Sequence, residues 1–350
     1  MVDGAIGETR EALVENGRVI ALRVVRASAR GKRARWGEVY SGRITRVDRP
    51  RRGAFVDLGL KEEQGFLPLD QKTLSRKGAL TDGAGVVVSV TREGARGKGP
   101  VLALLPEPYP GGPSQLLERH ESDVSLDDAK PADSAMRARI DAAIEDALSL
   151  HAPIPGGGAL TIEPTAALVA IDVDAGGRVG SGDPERFTLD LNLAAAKEAA
   201  RQMRLRALGG IVAIDFVSMR QHQNRKQLEA AAKAAFAGDP WQVQFGQISR
   251  FGVLEMTRAQ MQTPLHEILR DGDGRLSVET LALMALRAIE REGRAVTGRR
   301  IAALVAPEIF SWLEETELGW RAALTNRIGM RFTVEAQAGA PRERIDVRAL

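Results

Sequence analysis

Val169-Ala-Ile-Asp172 is the stretch that decides the fold, because the same four residues recur as Val212-Ala-Ile-Asp215. Each copy closes a short apolar run, and runs of this kind between glycine or proline residues are typical of buried strands. A long helical pattern separates the two copies. Two strands joined by a helix form a crossover unit and usually lie in one sheet, often as neighbours. We therefore expect Asp172 and Asp215 to occupy equivalent positions close together.

A third carboxylate follows at Asp174, two residues after Asp172 and therefore on the same strand face. Crowded carboxylates repel one another unless a cation lies among them, and their hard oxygen atoms suit magnesium or manganese. A single aspartate at a strand end is more commonly a helix cap or a loop residue. The repeat together with Asp174 instead favours a catalytic metal site formed by Asp172, Asp215 and Asp174, where an ion can bind a phosphate oxygen or activate water.

The composition excludes several kinds of site. The 350 residues contain no cysteine, which rules out disulfides, thiolate zinc sites, iron–sulfur clusters and a cysteine nucleophile. This fits a reducing cytoplasm, where we expect the chain to be located. The sequence has no apolar stretch of about 18 residues and no basic, apolar leader, so we expect a soluble, untargeted protein without a membrane partner. The length allows two or three domains.

Charge is distributed unevenly, although the net charge is only +3. Residues 18–52 carry twelve lysines and arginines against two acidic residues, whereas residues 118–146 are acidic. A basic block favours a polyanion such as nucleic acid. A solvated arginine-rich surface is the simpler explanation when the block is considered alone.

Residues 36–105 predict a small barrel. Five short strand-like runs separated by glycine-containing turns lie in this region, and we expect a closed barrel of the OB type. Residues 106–134 are rich in proline, glycine and acidic residues and are interpreted as a linker. Residues 8–26 indicate a hairpin around Asn16-Gly17. The tail, 277–350, alternates helix and strand as a small α/β domain.

Two aromatic residues in the predicted barrel point away from its aliphatic core. Strand alternation puts Phe55 on the face opposite Val56 and Leu58, and it puts Phe66 on the face opposite its leucine neighbours. Exposed aromatic rings among arginines form a stacking surface for unpaired bases. Packing of both rings inside a second, partly buried face is the alternative. Tyr40 is a weaker third candidate for this surface.

Cations complete the candidate RNA surface. Lys98 and Arg96 lie in a glycine-containing loop that can bring positive charge to a phosphate. Arg250 and Arg258 are strand-edge cations that either face RNA or are plain surface charge. Arginines late in a helix fit a favourable interaction with the helix dipole, and the histidines show no metal-ligand spacing. We therefore interpret these residues as structural or solvated: Arg201, Arg204, Arg206, His120, His151, His222 and His266.

Several segments resemble the ribonuclease E/G family. Two are similar to that family's RNA-binding barrel, one to its first metal-binding strand, two to the following helix and second metal-binding strand, and one to the end of its DNase I-like subdomain. They follow the family's order along most of the chain. In chain order these segments are Phe55–Gly59, Gly65–Leu69, Thr165–Asp174, Asn192–Arg206, Leu208–Phe216 and Ile248–Arg258.

The resemblance implies an α/β (α+β) fold with a DNase I-like and RNase H-like catalytic core, an inserted OB-fold barrel of the ribosomal S-one type and a small C-terminal α/β domain. It also implies five consecutive regions. These are the N-terminal strands of a split RNase H-like subdomain, the barrel, a shortened linker in place of a 5′ sensor, the DNase I-like catalytic subdomain and the C-terminal domain, at residues 1–35, 36–105, 106–134, 135–270 and 271–350.

The resemblance further implies a magnesium-dependent endoribonuclease of RNA processing or decay. Such an enzyme hydrolyses single-stranded RNA and leaves a 5′-phosphate and a 3′-hydroxyl. Asp172 and Asp215 match the metal-ligand aspartates of the family, while Phe55, Phe66 and Lys98 match its RNA-contacting positions.

The sequence departs from the family in three places. Asp174 stands where the family usually has asparagine, and the extra charge should tighten cation binding and affect the orientation of the attacking water. Thr263–Gly274 has no cysteine where the family has a zinc-link, so we expect no zinc and no zinc-linked dimer, while another oligomer interface stays open. Residues 106–134 lack a match to the 5′-monophosphate sensor, so preference for 5′-monophosphorylated ends should be weak or absent.

Two other functions stay open. An RNA-binding regulator with this fold but weak or no catalysis would account for Asp174 and the shortened linker. A haloacid-dehalogenase-like nucleophile at Asp172-Val173-Asp174 would act on small phosphate esters. Its mid-chain position, the barrel and the second aspartate strand argue against this last function.

Overall fold

The computed structural model describes residues 1–61, 63–70, 80–95, 98–118, 130–177 and 183–350. Two compact units make up the chain. The terminal unit consists of Met1–Glu11, Arg23–Arg30 and His266–Leu350, and the central unit consists of Ala12–Leu22 and Gly31–Leu265. The finer domain boundaries expected from the sequence stay a prediction. Within the described ranges, no helix is long and apolar enough to span a membrane.

A three-stranded sheet begins the chain. Its strands lie in the order β1 (Val2–Ala5), β2 (Glu8–Glu15) and β3 (Arg18–Arg26). The predicted hairpin joins β2 to β3 through Asn16 and Gly17, whose φ angles are 50° and 75°. Positive φ at both turn residues is what a tight two-residue hairpin requires. A short 3₁₀ turn, Ala27–Ala29, follows β3.

Five strands close into an OB-like barrel, as the sequence predicts. They are β4 (Val39–Asp48), β5 (Gly53–Asp57), β6 (Gln64–Pro68), β7 (Gly85–Arg92) and β8 (Val101–Leu104). The order β5-β6-β8-β7-β4 is closed by the pairing of β4 with β5. The interior is filled by aliphatic side chains such as Ile44, Val56 and Val88.

The predicted linker, residues 106–134, contains a strand that the sequence pattern does not predict. Gln115–Glu118 forms β9, which pairs with the first residues of β4. β9 and β5 pair with the same edge of β4, and β5 pairs only with its later residues, from Arg43 onward. The edge that remains would leave backbone groups unpaired, and β9 satisfies them.

A six-stranded sheet in the central unit carries both copies of the repeated tetrapeptide. Its strands are β10 (His151–Pro153), β11 (Ala159–Pro164), β12 (Val169–Asp174), β13 (Gly210–Asp215), β14 (Val243–Ile248) and β15 (Val253–Arg258). They lie in the order β10-β11-β12-β13-β15-β14. Only β12 and β13 are parallel; the other pairs are antiparallel. The sequence reading takes 241–256 as one segment, but the chain reverses there because Gly252 adopts a φ of 94°.

Helices cover one face of this sheet. The helices of the central unit are α1 (Ser134–Leu148), α2 (Pro184–Leu205) and α3 (His222–Ala235). A short helix, α4 (Leu265–Leu269), begins at the end of the central unit and continues into the terminal unit. The start of α2 is the predicted one, with Pro184 in its first turn and Asp183 accepting from Glu185 N at 3.0 Å. Alanine and leucine side chains of α2 and α3 pack on the apolar face of the sheet, including Ile171 and Ile214. On the opposite face, Asp172, Asp174 and Asp215 are exposed among the residues that the structure describes.

The tail forms a small α/β arrangement within the terminal unit. Its elements are α5 (Val278–Ala295), β16 (Ile301–Val305), α6 (Pro307–Glu315), α7 (Trp320–Ile328), β17 (Phe332–Ala336) and β18 (Ile345–Ala349). The strands lie in the order β17-β16-β18. The sequence predicts α5, β16, α6 and β17 and misses α7 and β18.

Candidate functional site

Asp172 and Asp215 lie directly beside each other. The parallel strands β12 and β13 are in a register that pairs these two residues, as the repeat predicts. Neighbouring strands are about 4.8 Å apart, so the two carboxylates are within reach of one small ion. Both side chains are exposed, because they project from the face that α2 and α3 leave open.

Further residues extend this pair into a row across the open face. Thr161 pairs with Asp172, His151 pairs with Thr161, and Val253 pairs with Asp215. The Nδ1 atom of the exposed His151 ring lies 3.1 Å from Thr161 Oγ1. The carboxylate pair therefore has a hydroxyl on one side and an aliphatic side chain on the other.

Asp174 lies on the next row of the same face. Its cross-strand partner is Ala159, and its Oδ1 accepts a hydrogen bond from Gly176 N at 2.8 Å. Among the described residues, no three histidine, aspartate or glutamate side chains are arranged to hold one metal ion. The structure thus brings two of the three expected metal ligands together and leaves Asp174 as an additional negative charge nearby.

Two side chains of α2 hold the chain that follows Asp215. Asn192 is fully buried; its Nδ2 donates to Val217 O at 2.8 Å and its Oδ1 accepts from Val217 N at 3.1 Å. Glu185 accepts from the backbone N–H of Gln221 at 2.8 Å. That hydrogen bond is the largest cause of a lowered pKa for Glu185. Both contacts fix the path of the loop after β13.

Sequence reasoning assigned no role to Asn192 or Glu185. The signal for Asn192 is an amide within the alanine-rich buried stripe of α2, a place where a polar side chain is costly unless it is hydrogen-bonded. No local sequence pattern marks Glu185. The backbone N–H groups that donate to its carboxylate belong to Arg220 and Gln221, more than thirty residues later in the chain.

The turn between β14 and β15 lies against the Asp215 carboxylate. A Cβ atom built on Gly252 would come within 3.9 Å of Asp215 Oδ1 and 3.2 Å of Phe216 O. Together with its positive φ, this close approach explains a glycine here. Just before it, the Arg250 guanidinium lies 4.6 Å from the centroid of the Phe251 ring.

The arginines at the end of α2 are structural, as expected, and their partners include carboxylate and amide side chains. Arg201 is buried and binds Glu198 and Asp146, each at 2.6 Å. Arg206 donates to Gln202 Oε1 at 2.7 Å. Burial opposes the charge of Arg201, but its hydrogen bonds to these carboxylates raise its pKa overall.

Arg258 does not face solvent. Its side chain is buried and pairs with Asp239 at 2.9 Å, and its guanidinium lies 3.9 Å from the centroid of the Trp241 ring. The sequence analysis offers two interpretations of Arg258, an RNA-facing cation and plain surface charge. Both are wrong, because the side chain is buried.

The barrel presents the two expected phenylalanines outside its core. Phe55 and Phe66 are cross-strand partners with ring centroids 5.5 Å apart, and both are only partly buried. The exposed Arg46 places its guanidinium 4.7 Å from the Phe55 centroid. A Cβ on Gly53 would collide with the Phe66 ring, so this glycine leaves room for the ring.

The remaining barrel candidates fall in different places. Tyr40 is 3% exposed and donates to Glu38 Oε2 at 2.7 Å, so burial raises its pKa and its ring does not belong to the aromatic surface. Lys98 is exposed. The loop that carries it adjoins β6, since Phe66 N donates to Pro100 O at 2.8 Å. Arg96 lies outside the described residues.

Comparison with known proteins finds a family that is similar to the part of the chain that holds both aspartates. The sequence profile of the ribonuclease E/G family matches residues 114–261. These residues are thus similar to the ribonuclease E/G family over this part of the chain. The match includes Asp172, Asp215 and Arg250 and begins after the barrel, so the RNA-binding candidates of the barrel rest on their own geometry.

Individual ribonucleases are also similar to this chain. Ribonuclease E of Haemophilus influenzae is 36% identical over 182 residues, which are 50% of this chain and 20% of that protein. Ribonuclease E of Escherichia coli is 34% identical over 204 residues, 56% of this chain and 19% of that protein. Ribonuclease G of H. influenzae is 29% identical over 216 residues, 59% of this chain and 44% of that protein. The matches span about a fifth of the length of the ribonuclease E relatives and under half of ribonuclease G.

Proposed function

We propose that this chain is an endoribonuclease that hydrolyses single-stranded RNA at Asp172 and Asp215. The observation that carries the proposal is the parallel register that pairs these two exposed carboxylates. The relatives' names, ribonuclease E and ribonuclease G, support RNA as the class of substrate. Hydrolysis would break the bond from phosphorus to the 3′ oxygen and leave a 5′-phosphate and a 3′-hydroxyl.

Magnesium, with manganese as the alternative, fits the carboxylate pair. Both ions prefer oxygen ligands, and Asp172 and Asp215 would hold one of them while Asp174 adds negative charge nearby. When bound, the ion supplies positive charge for the non-bridging phosphate oxygens and lowers the pKa of a water molecule. We expect no zinc.

The chain's own residues position the RNA and the carboxylates. Phe55 and Phe66 offer ring faces to unpaired bases, and the exposed Arg46 and Lys98 offer positive charge to phosphates. Asn192 holds the backbone two residues after Asp215 and thereby keeps that carboxylate beside its neighbour.

Removing either carboxylate charge tests the proposal. Asp172→Asn and Asp215→Asn should each abolish magnesium-dependent cleavage of an unstructured RNA, because the amide keeps the shape but not the charge, while RNA affinity stays nearly unchanged. Glu163→Gln is the matched control: it removes an exposed carboxylate from the same sheet face and should cleave like the wild type. Substrates with 5′-phosphate and 5′-hydroxyl ends, assayed side by side, measure any preference for the end group. Cleavage by both aspartate variants would locate the chemistry elsewhere.

The aromatic surface of the barrel has its own test. Phe55→Ala combined with Phe66→Ala should weaken RNA affinity by about 2–6 kcal/mol, at about 1–3 kcal/mol per stacked base. The tyrosine replacements at both positions keep the ring faces and should bind nearly as well as the wild type. Unchanged affinity in the alanine variant would mean that the rings only stabilise the barrel, which thermal unfolding of the same variant would then report.

A catalytically weak or inactive RNA-binding regulator is the second candidate. It is favoured by the position of Asp174 on a separate row, which leaves the metal with two paired carboxylates. Salt-sensitive RNA binding without cleavage, in magnesium and in EDTA alike, would support the regulator.

A further inference from the structure

An exposed aromatic–cation pair lies at the edge of the open sheet face, on the turn between β14 and β15. The Phe251 side chain is 71% exposed. Arg250 is also exposed, with its guanidinium over the Phe251 ring. Isolated exposed apolar side chains are common on protein surfaces. The exposure of the Phe251 ring therefore indicates a function only in combination with its location.

That location is beside the carboxylate pair. Val253, two residues after Phe251, is the cross-strand partner of Asp215. Gly252, the residue between them, lies near Asp215, since a Cβ built on it would be in ordinary van der Waals contact with Asp215 Oδ1, at 3.9 Å. A phosphate held at the carboxylate pair would therefore have its neighbouring nucleotide next to Phe251.

The adjoining cleft combines apolar side chains, such as Phe216 and Ile248, with polar groups that can bind a phosphate. Arg250, Arg225 and Ser218 line it together with the backbone of Gly252. Arg225 uses one nitrogen to donate to Met219 O at 3.4 Å, and a guanidinium carries five N–H donors in all. Two guanidinium groups and a hydroxyl match a phosphodiester, since arginine binds phosphate oxygens in pairs.

We infer that this turn and cleft form a nucleotide subsite, in which Phe251 stacks on the base adjacent to the scissile phosphate while Arg250, Arg225 and Ser218 bind the backbone of the same nucleotide. The inference rests on the proposed function, because it supposes that RNA is the substrate at Asp215. Stacking tolerates every base, so the subsite requires a base at one position but selects no sequence there.

Abasic scanning tests the subsite. A short RNA with one defined cleavage site is made in versions that each lack a single base, and kcat/KM is measured for the wild type, Phe251→Leu and Phe251→Tyr. For the wild type, one abasic position next to the cleavage site should lower kcat/KM by about 5- to 150-fold, the range for one stacked base. Phe251→Leu should show a similar loss on the intact RNA and no further loss at that abasic position. Phe251→Tyr should behave like the wild type.

Two results would overturn the inference. One is equal kcat/KM for wild type and Phe251→Leu on the intact RNA; the other is a penalty at the abasic position that persists undiminished in Phe251→Leu. Binding of the same RNAs in EDTA separates this inference from the proposed function. If the wild type cleaves nothing, the proposed function fails, and the subsite is then judged by affinity alone: it stands if Phe251→Leu binds the intact RNA more weakly and has lost sensitivity to the abasic position, and it fails otherwise.

Discussion

Carboxylates are brought together in both units of the chain, but their repulsion is relieved in opposite ways. In the terminal unit, Asp3 and Glu8 are both buried, and Arg287 binds both of them. Glu8 is also bonded to Arg10 at 2.7 Å and to Arg26 at 3.3 Å. Burial alone would raise the pKa of Glu8, yet these three guanidinium groups together lower it.

In the central unit, Asp172 and Asp215 are exposed, and their neighbours along the row are Thr161 and Val253. A hydroxyl and an aliphatic side chain do nothing to neutralise two negative charges. The comparison teaches how to tell a structural acidic pair from a functional one. Where the fold supplies its own cations, the pair stabilises the fold; where it leaves the charges open to solvent, they are available to a ligand.

The largest stability effect is expected in the terminal unit. Glu8→Gln removes the charge that Arg10, Arg26 and Arg287 share, and breaking a buried ion pair from one side costs about 3–5 kcal/mol because cations are left uncompensated. Urea unfolding followed by circular dichroism measures this loss. Glu11→Gln is the matched control, because Glu11 is only partly buried and pairs with Arg23 at 3.9 Å, and it should cost about 1 kcal/mol or less.

The pH dependence of the same variant sharpens the comparison. Because the folded-state pKa of Glu8 lies below its ordinary value of 4.5, its contribution to stability is fully present above pH 4.5 and is lost as the pH falls through the folded-state pKa. Glu8→Gln should therefore flatten the acid limb of the stability curve relative to the wild type. An equally steep acid limb in the variant would assign the acid sensitivity to other carboxylates.

Sequence alone predicts the centre of the candidate site well. The pairing of β12 with β13 follows from two short apolar runs and the helix between them, both of which are local patterns, and from the general rule that such a crossover usually puts the strands side by side. The barrel follows similarly from regularly spaced strands and turns. The exposure of Phe55 and Phe66 follows from strand alternation within single segments.

What the sequence does not predict depends on partners distant in the chain. The strand β9 pairs with β4 beside Tyr40, and nothing within the sequence of β4 announces that strand. Thr161 reaches Asp172 only because the unpredicted strand β11 adds to the sheet. The proximity of Gly252 to Asp215 likewise depends on the hairpin of β14 and β15, which the sequence does not predict.

The smallest predicted effect is the stabilisation of the folded chain by magnesium, which tests the exposed pair of Asp172 and Asp215 directly. If Asp172 and Asp215 bind a divalent ion in the folded state only, magnesium at ten times its dissociation constant should stabilise the wild type by about 1.4 kcal/mol. The measurement is the midpoint of thermal unfolding with magnesium and with EDTA, without RNA. Asp172→Asn should lose this stabilisation, whereas Glu8→Gln, which starts from a lower midpoint, should keep it in full.

This last measurement separates charge relief by a captured ion from general screening by salt. Calcium chloride, magnesium chloride and sodium chloride at matched ionic strength distinguish the two, since screening acts on every exposed carboxylate alike. A magnesium effect that persists in Asp172→Asn, or a manganese-soaked crystal with no anomalous peak between the two carboxyl groups, would contradict a shared ion. The exposed pair would then differ from the buried pair of the terminal unit only in its solvation, and the metal-dependent part of the proposed function would fail with it.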